Sequence, residues 1–231
     1  MNKNWLVSGM VLLIAGFAIA GYFLPEYHFS PQRELVVFGG VLMIVGVALA
    51  IYGARAKPSP KEISIKKVSL ATVLISLGVV LAPYLWFPVL DSKAYPGQHL
   101  VNAIGGVLLG PLWAAFIAFC IGIIRMSLGW GTIFSMPGGI PGGMMVGLIY
   151  WLLRKIAGRY AEAAALTEPI GTIFIGGTLA VYIFAPVAGR TMLLIPTWIG
   201  WAISSIIGAI IGFITLIALK MAGIRREIFS R

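Results

Sequence analysis

The chain alternates between apolar runs of roughly twenty residues, the length that crosses a bilayer as one helix, and short polar breaks. Such runs cover Trp5 to Leu24, Leu35 to Ala54, Val68 to Val89, Pro169 to Ala188 and Leu193 to Leu219, each ending in charge, proline or both. A further run, Pro137 to Leu153, follows a Gly/Pro-rich stretch and stops at Arg154-Lys155. His99 to Leu128 is too long for one straight span at about 1.5 Å per residue, and Gly110-Pro111 breaks it in the middle. That section is predicted as two short helices in a tight hairpin, which brings the expected number of spans to eight.

Composition makes the membrane reading firm. Of the residues, 60% are hydrophobic and 10% charged, with a mean hydropathy of +0.99, whereas a soluble domain carries about 25% charged residues. The fold class expected is an all-α polytopic membrane protein. Seventeen Lys and Arg stand against seven Asp and Glu, a basic balance that raises the question of nucleic acid. The basic residues sit in short clusters between apolar runs, where the cytoplasmic bias of Lys and Arg places them, so the partner implied is the lipid bilayer and not nucleic acid. Cys120 is the single cysteine and lies in an apolar run, which leaves no disulfide framework and reads as a small buried apolar residue. No small-residue cleavage site follows the first apolar stretch, which is read as a retained span.

Charge parity tests the count of eight, because one span more or fewer moves every later loop to the opposite side. With the N-terminus inside, Lys3, the Arg55 to Lys67 cluster, Arg154, Lys155, Arg159 and the Lys220 to Arg231 cluster all fall on the cytoplasmic side. Only Arg33, Lys93, Arg125 and Arg190 fall outside. Both termini are therefore expected in the cytoplasm of a multi-pass cell-membrane protein. The expected organisation is a two-helix transmembrane extension over residues 1–56, a basic cytoplasmic linker over 57–67 and a six-helix unit over 68–231.

Polar groups at membrane depth are costly and become functional candidates by default. They concentrate toward the outer ends of the later spans, in Tyr95 to Asn102 and Arg125 to Thr132. His99 and Asn102 are three apart and share a helix face, with Gln98 at the mouth of the same helix. These three either line an outward-opening cavity that binds a small polar ligand, or cap the helix and bond neighbouring spans. Arg125 either snorkels to the interface or anchors a ligand or the following loop. Glu168 reads as a carboxylate at a helix N-terminus, facing the dipole, and Asp91 and Lys93 as solvated. Gly131 to Gly143, with five glycines and two prolines in thirteen residues, is expected to be a re-entrant or broken-helix element. Thr72-xxx-Ser76 and Gly78-xxx-Ala82 permit close helix approach, either within the bundle or onto a membrane partner.

Several chemistries find no support. No second His, Cys or carboxylate is placed to complete a metal site with His99, so neither a metal nor a cofactor is expected. No Walker-type motif occurs, and no catalytic His-Glu, Ser/Lys or Cys/His arrangement lies in the spans, which argues against an enzyme. The absence of a carboxylate from the middle of any span argues against a solitary proton- or sodium-coupled carrier. A small-ligand membrane sensor or receptor stays open.

Pro96-Gly97-Gln98-His99-Leu100-Val101-Asn102, followed by Gly110-Pro111, Arg125, Gly131-Thr132 and Met136-Pro137-Gly138-Gly139, resembles the ThiW family of substrate-binding S components of energy-coupling factor transporters. The resemblance runs from about Lys67 to Lys220. It implies a six-helix S-component bundle, here preceded by two extra transmembrane helices. Such a component captures a vitamin or precursor, most specifically the thiamine precursor hydroxyethylthiazole, with another vitamin as the alternative. Its implied partners are a transmembrane coupling subunit and two cytoplasmic ATPase subunits. Family members dock through an Ala-xxx-Ala type surface on the first span of the unit, where this chain has Thr72, Ser76, Gly78 and Ala82. On this picture Gln98, His99 and Asn102 bond the ligand, with Thr132 nearby. Trp130 and Phe134 pack on the ligand, Trp86 sits in a loop that closes over it, and Arg125 gains importance if the ligand is phosphorylated.

Overall fold

The computed structural model describes residues 65–89 and 92–230. The two expected N-terminal spans, most of the Arg55 to Lys67 linker and Asp91 lie outside the described residues. Of the described residues, 65–186 and 191–230 group into one compact unit. This unit holds helices α1 (Ile65–Leu81), α2 (Pro96–Leu108), α3 (Pro111–Ser127) and α4 (Ser135–Ile156). Helix α5 (Gly158–Val187) follows, then α6 (Leu194–Met221) and a short α7 (Glu227–Ser230). Between α1 and α2 lies an antiparallel hairpin of β1 (Phe87–Val89) and β2 (Ser92–Ala94), in which Phe87 pairs with Ala94. Among the described residues three helices, α4, α5 and α6, are long and apolar enough to cross a membrane.

Glycine contacts give the helix directions. In α4 and α5 the close approaches are Pro141 with Gly171 and Pro137 with Gly176, so rising numbers in one meet falling numbers in the other and the pair is antiparallel. Helices α3 and α4 are antiparallel by the same logic, through Gly139 on Ala118 and Gly143 on Ala114. Helix α2 runs parallel to α6, with Gly208 on His99 and Gly212 on Ala103, and parallel to α4, with Gly106 on Gly143 and Val146. Helix α1 is antiparallel to α2, through Gly97 on Leu81 and Gly105 on Leu74, so from α1 to α6 the odd-numbered helices run one way and the even-numbered ones the other. The basic residues Arg154, Arg159, Lys220 and Arg226 come together at one end. There Lys220 pairs with Glu162 at 2.6 Å, Arg154 with Glu227 at 2.9 Å, and Arg226 donates to the Val107 carbonyl at 3.2 Å.

Helix α2 is the core of the unit, because every residue from Pro96 to Leu108 except Leu100 is buried. It is buried on every side although it carries Gln98, His99 and Asn102. Its 13 residues rise only about 20 Å, short of a bilayer's roughly 30 Å. The shortfall is filled by the β hairpin and Tyr95, which stand beside the first half of α6, where the Tyr95 amide donates to Ser204 Oγ at 2.9 Å. Helices α2 and α3 meet at Gly110, whose φ of +97° is a left-handed turn conformation that favours glycine. The break expected at Gly110-Pro111 is where the hairpin turns.

Three expectations change. The run Val68 to Val89 stops being helical at Leu81, and Phe87 to Val89 form a strand, because Pro83 and Pro88 interrupt the tail of the run. The Gly131 to Gly143 stretch is a regular helix from Ser135 onward, with Pro141 inside it. Its glycines serve close packing: Gly139 faces Gln98 and Ala118, Gly142 faces Glu168 and Thr172, and Gly147 lies against Pro111. The fifth helix begins at Gly158, ten residues before Glu168, so Glu168 is an interior residue and not the start of a span. Gly158–Thr167 winds tightly and Ile170–Gly177 winds wide, and Pro169, which lacks an N–H, sits where the winding changes. Small residues at Ala161, Ala164 and Ala165, all buried, let the tight segment press on the bundle.

Candidate functional site

One polar cluster lies in this apolar bundle, where the first turns of α2 meet α4 and the middle of α5. Glu168 is fully buried at 0% exposure, with His99 at 7%, Gln98 at 6%, Asn102 at 1% and Thr172 at 0%. Glu168 Oε1 is the hub. Asn102 Nδ2 donates to it at 2.8 Å, Thr172 Oγ1 lies 2.8 Å from it and His99 Nδ1 lies 2.9 Å from it. Asn102 Nδ2 also donates to the Gly139 carbonyl at 2.9 Å, and Thr172 Oγ1 reaches the Gly138 carbonyl at 3.0 Å. Gln98 Nε2 donates to Asn102 Oδ1 at 3.3 Å.

Local sequence explains how these groups converge. Gln98, His99 and Asn102 follow Pro96, which opens α2 with its ring at the first helical position, where a missing N–H costs nothing. Glu168 and Thr172 are four apart on one face of α5. Gly142 supplies the room, since a Cβ at that position would run into Glu168 Oε1 and Thr172 Oγ1. Two buried oxygens of the cluster, Glu168 Oε2 and Gln98 Oε1, have no hydrogen-bond partner among the described residues. An unpartnered buried polar atom costs about 1–3 kcal/mol.

Arg125 is buried at 3% exposure, so it does not snorkel. Its guanidinium stacks on the Tyr95 ring at 3.8 Å from the centroid, and Nη2 donates to the Trp130 carbonyl at 3.4 Å. Tyr95 Oη donates to that same carbonyl at 2.9 Å, so Arg125 and Tyr95 together hold the turn that leads into α4. Arg125 Nε has no hydrogen-bond partner among the described residues. The other expected site residues stand farther out. Trp86 and Trp130 are exposed at 41% and 40%, Thr132 is exposed and Phe134 is half-buried at the start of α4. Lys93 is exposed as expected, with its ammonium over the Trp86 ring at 4.5 Å.

Sequence reasoning missed Glu168 and Thr172 as members of the cluster. Glu168 also removes the argument that no carboxylate lies in mid-span, and it sets an acid beside His99. Among the described residues no group of three or more His, Cys, Asp and Glu is placed to hold a metal ion.

The model of the family described as thiamine-precursor transporter proteins (ThiW) matches residues 68–222, a stretch that contains the whole cluster. Comparison with curated proteins and with solved structures gave no match. The matched stretch covers most of the chain and takes in α4, α5 and α6, so this helical membrane protein belongs to the ThiW family of thiamine-precursor transporter proteins, a transport component and not an enzyme.

Proposed function

We propose that the chain is the substrate-capture subunit of an energy-coupling factor transporter and that it binds hydroxyethylthiazole in the cluster around Glu168. The observation that carries this reading is the pair of unpartnered buried oxygens, Glu168 Oε2 and Gln98 Oε1, within a bundle of the thiamine-precursor transporter family. A thiazole ring is small, flat and nearly neutral, and its hydroxyethyl arm ends in a donor. A mostly apolar site with a few convergent polar groups suits such a ligand. Gln98, His99 and Asn102 hold it, and Trp130, Phe134, Thr132 and Trp86 form the outer aromatic and polar rim that closes over it.

The basic end, with Arg154, Arg159, Lys220 and Arg226, faces the cytoplasm under the positive-inside rule, which puts the mouth of α2 toward the outside. A transmembrane coupling subunit docks on α1, where Gly78 and Ala82 are used inside the bundle while Thr72 and Ser76 are exposed. Two ATPase subunits energise release. The test is titration of hydroxyethylthiazole into the purified chain in lipid nanodiscs, followed by uptake into vesicles with and without the coupling module. Saturable binding, and uptake that needs both ATP and the module, support the reading.

The buried Glu168 favours a second reading, in which the chain works alone and moves its substrate with a proton. Uptake by the chain alone that a protonophore abolishes would select it.

A further inference from the structure

The direction of the hydrogen bond between Asn102 and Gln98 follows from one group. Asn102 Nδ2 is a donor with two protons, and it spends them on Glu168 Oε1 and the Gly139 carbonyl. That turns Asn102 Oδ1, an acceptor, toward Gln98, so the Gln98 atom facing it is the donor Nε2. Gln98 Oε1 is thereby turned away from the relay and has no partner among the described residues. Glu168 collects Asn102, Thr172 and His99 on Oε1 alone and leaves Oε2 bare. The carboxylate sets the relay, and the relay ends in two buried acceptors.

We infer that Glu168 Oε2 and Gln98 Oε1 form an acceptor subsite that recognises the donor end of the ligand and selects the free alcohol over its phosphate ester. This deepens the function proposed above and rests on it. A hydroxyl donates to either oxygen and relieves an unpaired buried atom. A phosphate monoester brings about −1.5 to −2 charges and no strong donor at pH 7, against a buried carboxylate. A site built to bond a hydroxyl also rejects the analogue that lacks it, because its own polar groups then stay unpaired. Glu168 and Gln98 are in this account specificity-determining residues, and His99 and Thr172 position Glu168.

The experiment is a titration of the full chain in nanodiscs with three probes: hydroxyethylthiazole, its phosphate ester, and the analogue with an ethyl group in place of hydroxyethyl. The alcohol is expected to bind at least about tenfold tighter than either of the others. In Glu168→Gln the advantage of the alcohol over the ethyl analogue is expected to shrink to within about threefold, since an amide replaces one acceptor by a donor. Gln98→Leu keeps the Glu168 hub and provides the same readout should Glu168→Gln fail to fold. Ethyl analogue and alcohol binding alike to the unchanged chain would overturn the inference. So would a phosphate ester that binds tighter through Arg125, a preference that Arg125→Gln would then abolish. If no thiazole binds, the substrate named above is wrong, and the subsite is read instead from a hydroxymethyl aminopyrimidine and its deamino analogue. Tighter binding of the amino compound supports the subsite, and equal binding sinks it.

Discussion

Thr172 sits one turn beyond Glu168 on α5 and points its hydroxyl at the same carboxylate oxygen, at 2.8 Å, that Asn102 of α2 reaches at 2.8 Å. A single atom therefore ties the central helix to the fifth one, and the Gly138 and Gly139 carbonyls of α4 tie in the fourth. The cluster is both the candidate site and a structural joint of the bundle, and the predictions separate those two roles.

Glu168→Leu removes the atom that His99, Asn102 and Thr172 share. Loss of one partner from a buried charged network costs about 3–5 kcal/mol. Unfolding of the variant in mixed micelles is expected to show a loss of that size, and Glu168→Gln, which keeps an oxygen, a smaller one. Equal stability of Glu168→Leu and the unchanged chain would show that the hub holds nothing together.

Gly142→Ala and Gly138→Ala differ by position alone. A Cβ at 142 collides with Glu168 and Thr172, whereas one at 138 meets Trp201 at 3.7 Å, an ordinary contact. Overpacking costs about 1–3 kcal/mol, so Gly142→Ala is expected to weaken ligand binding at least tenfold while Gly138→Ala changes it little. Binding titrations of the two variants side by side check this.

Arg226 closes the basic end by donating to the Val107 carbonyl at the last turn of α2, and its guanidinium lies 5.0 Å from the centre of the Tyr150 ring. Burial lowers its affinity for a proton, yet an arginine stays charged at any working pH. Arg226→Ala is expected to destabilise the chain by about 1–3 kcal/mol and to leave ligand affinity unchanged, because the cluster lies at the other end of α2. Thermal unfolding and a binding titration on the same sample separate the two effects.

Thr72→Leu with Ser76→Leu alters the exposed face of α1 and nothing in the cluster. Binding by the isolated chain is expected to persist, while uptake with the coupling module falls at least tenfold. Unchanged uptake would mean that the coupling subunit docks elsewhere.

The sequence made some of this legible and hid the rest for physical reasons. The break between α2 and α3 was readable because Gly110-Pro111 joins the two strongest backbone signals. Gln98, His99 and Asn102 stood out as polar groups in an apolar run. Glu168 did not, since Pro169 follows it and Arg159 and Glu162 precede it, which is how a helix start looks. The signal available was its partner Thr172, four residues on and on the same face. The glycines of α4 were misread as a broken segment. Their spacing, 139, 143 and 147 with 138 and 142, is the small-xxx-small pattern of tight helix packing, and that spacing carries more information than their number. Spacing of this kind reports how closely helices pack and says nothing about ligand identity.

The central claim is that the cluster around Glu168 is where a thiamine precursor binds. The most direct measurement is the affinity of radiolabelled hydroxyethylthiazole for the unchanged chain, His99→Ala and Asn102→Ala in nanodiscs, with folding verified on each sample. Saturable binding to the unchanged chain, weakened at least tenfold in both folded variants, is the result predicted. Folded variants that bind the thiazole as tightly as the unchanged chain would contradict it.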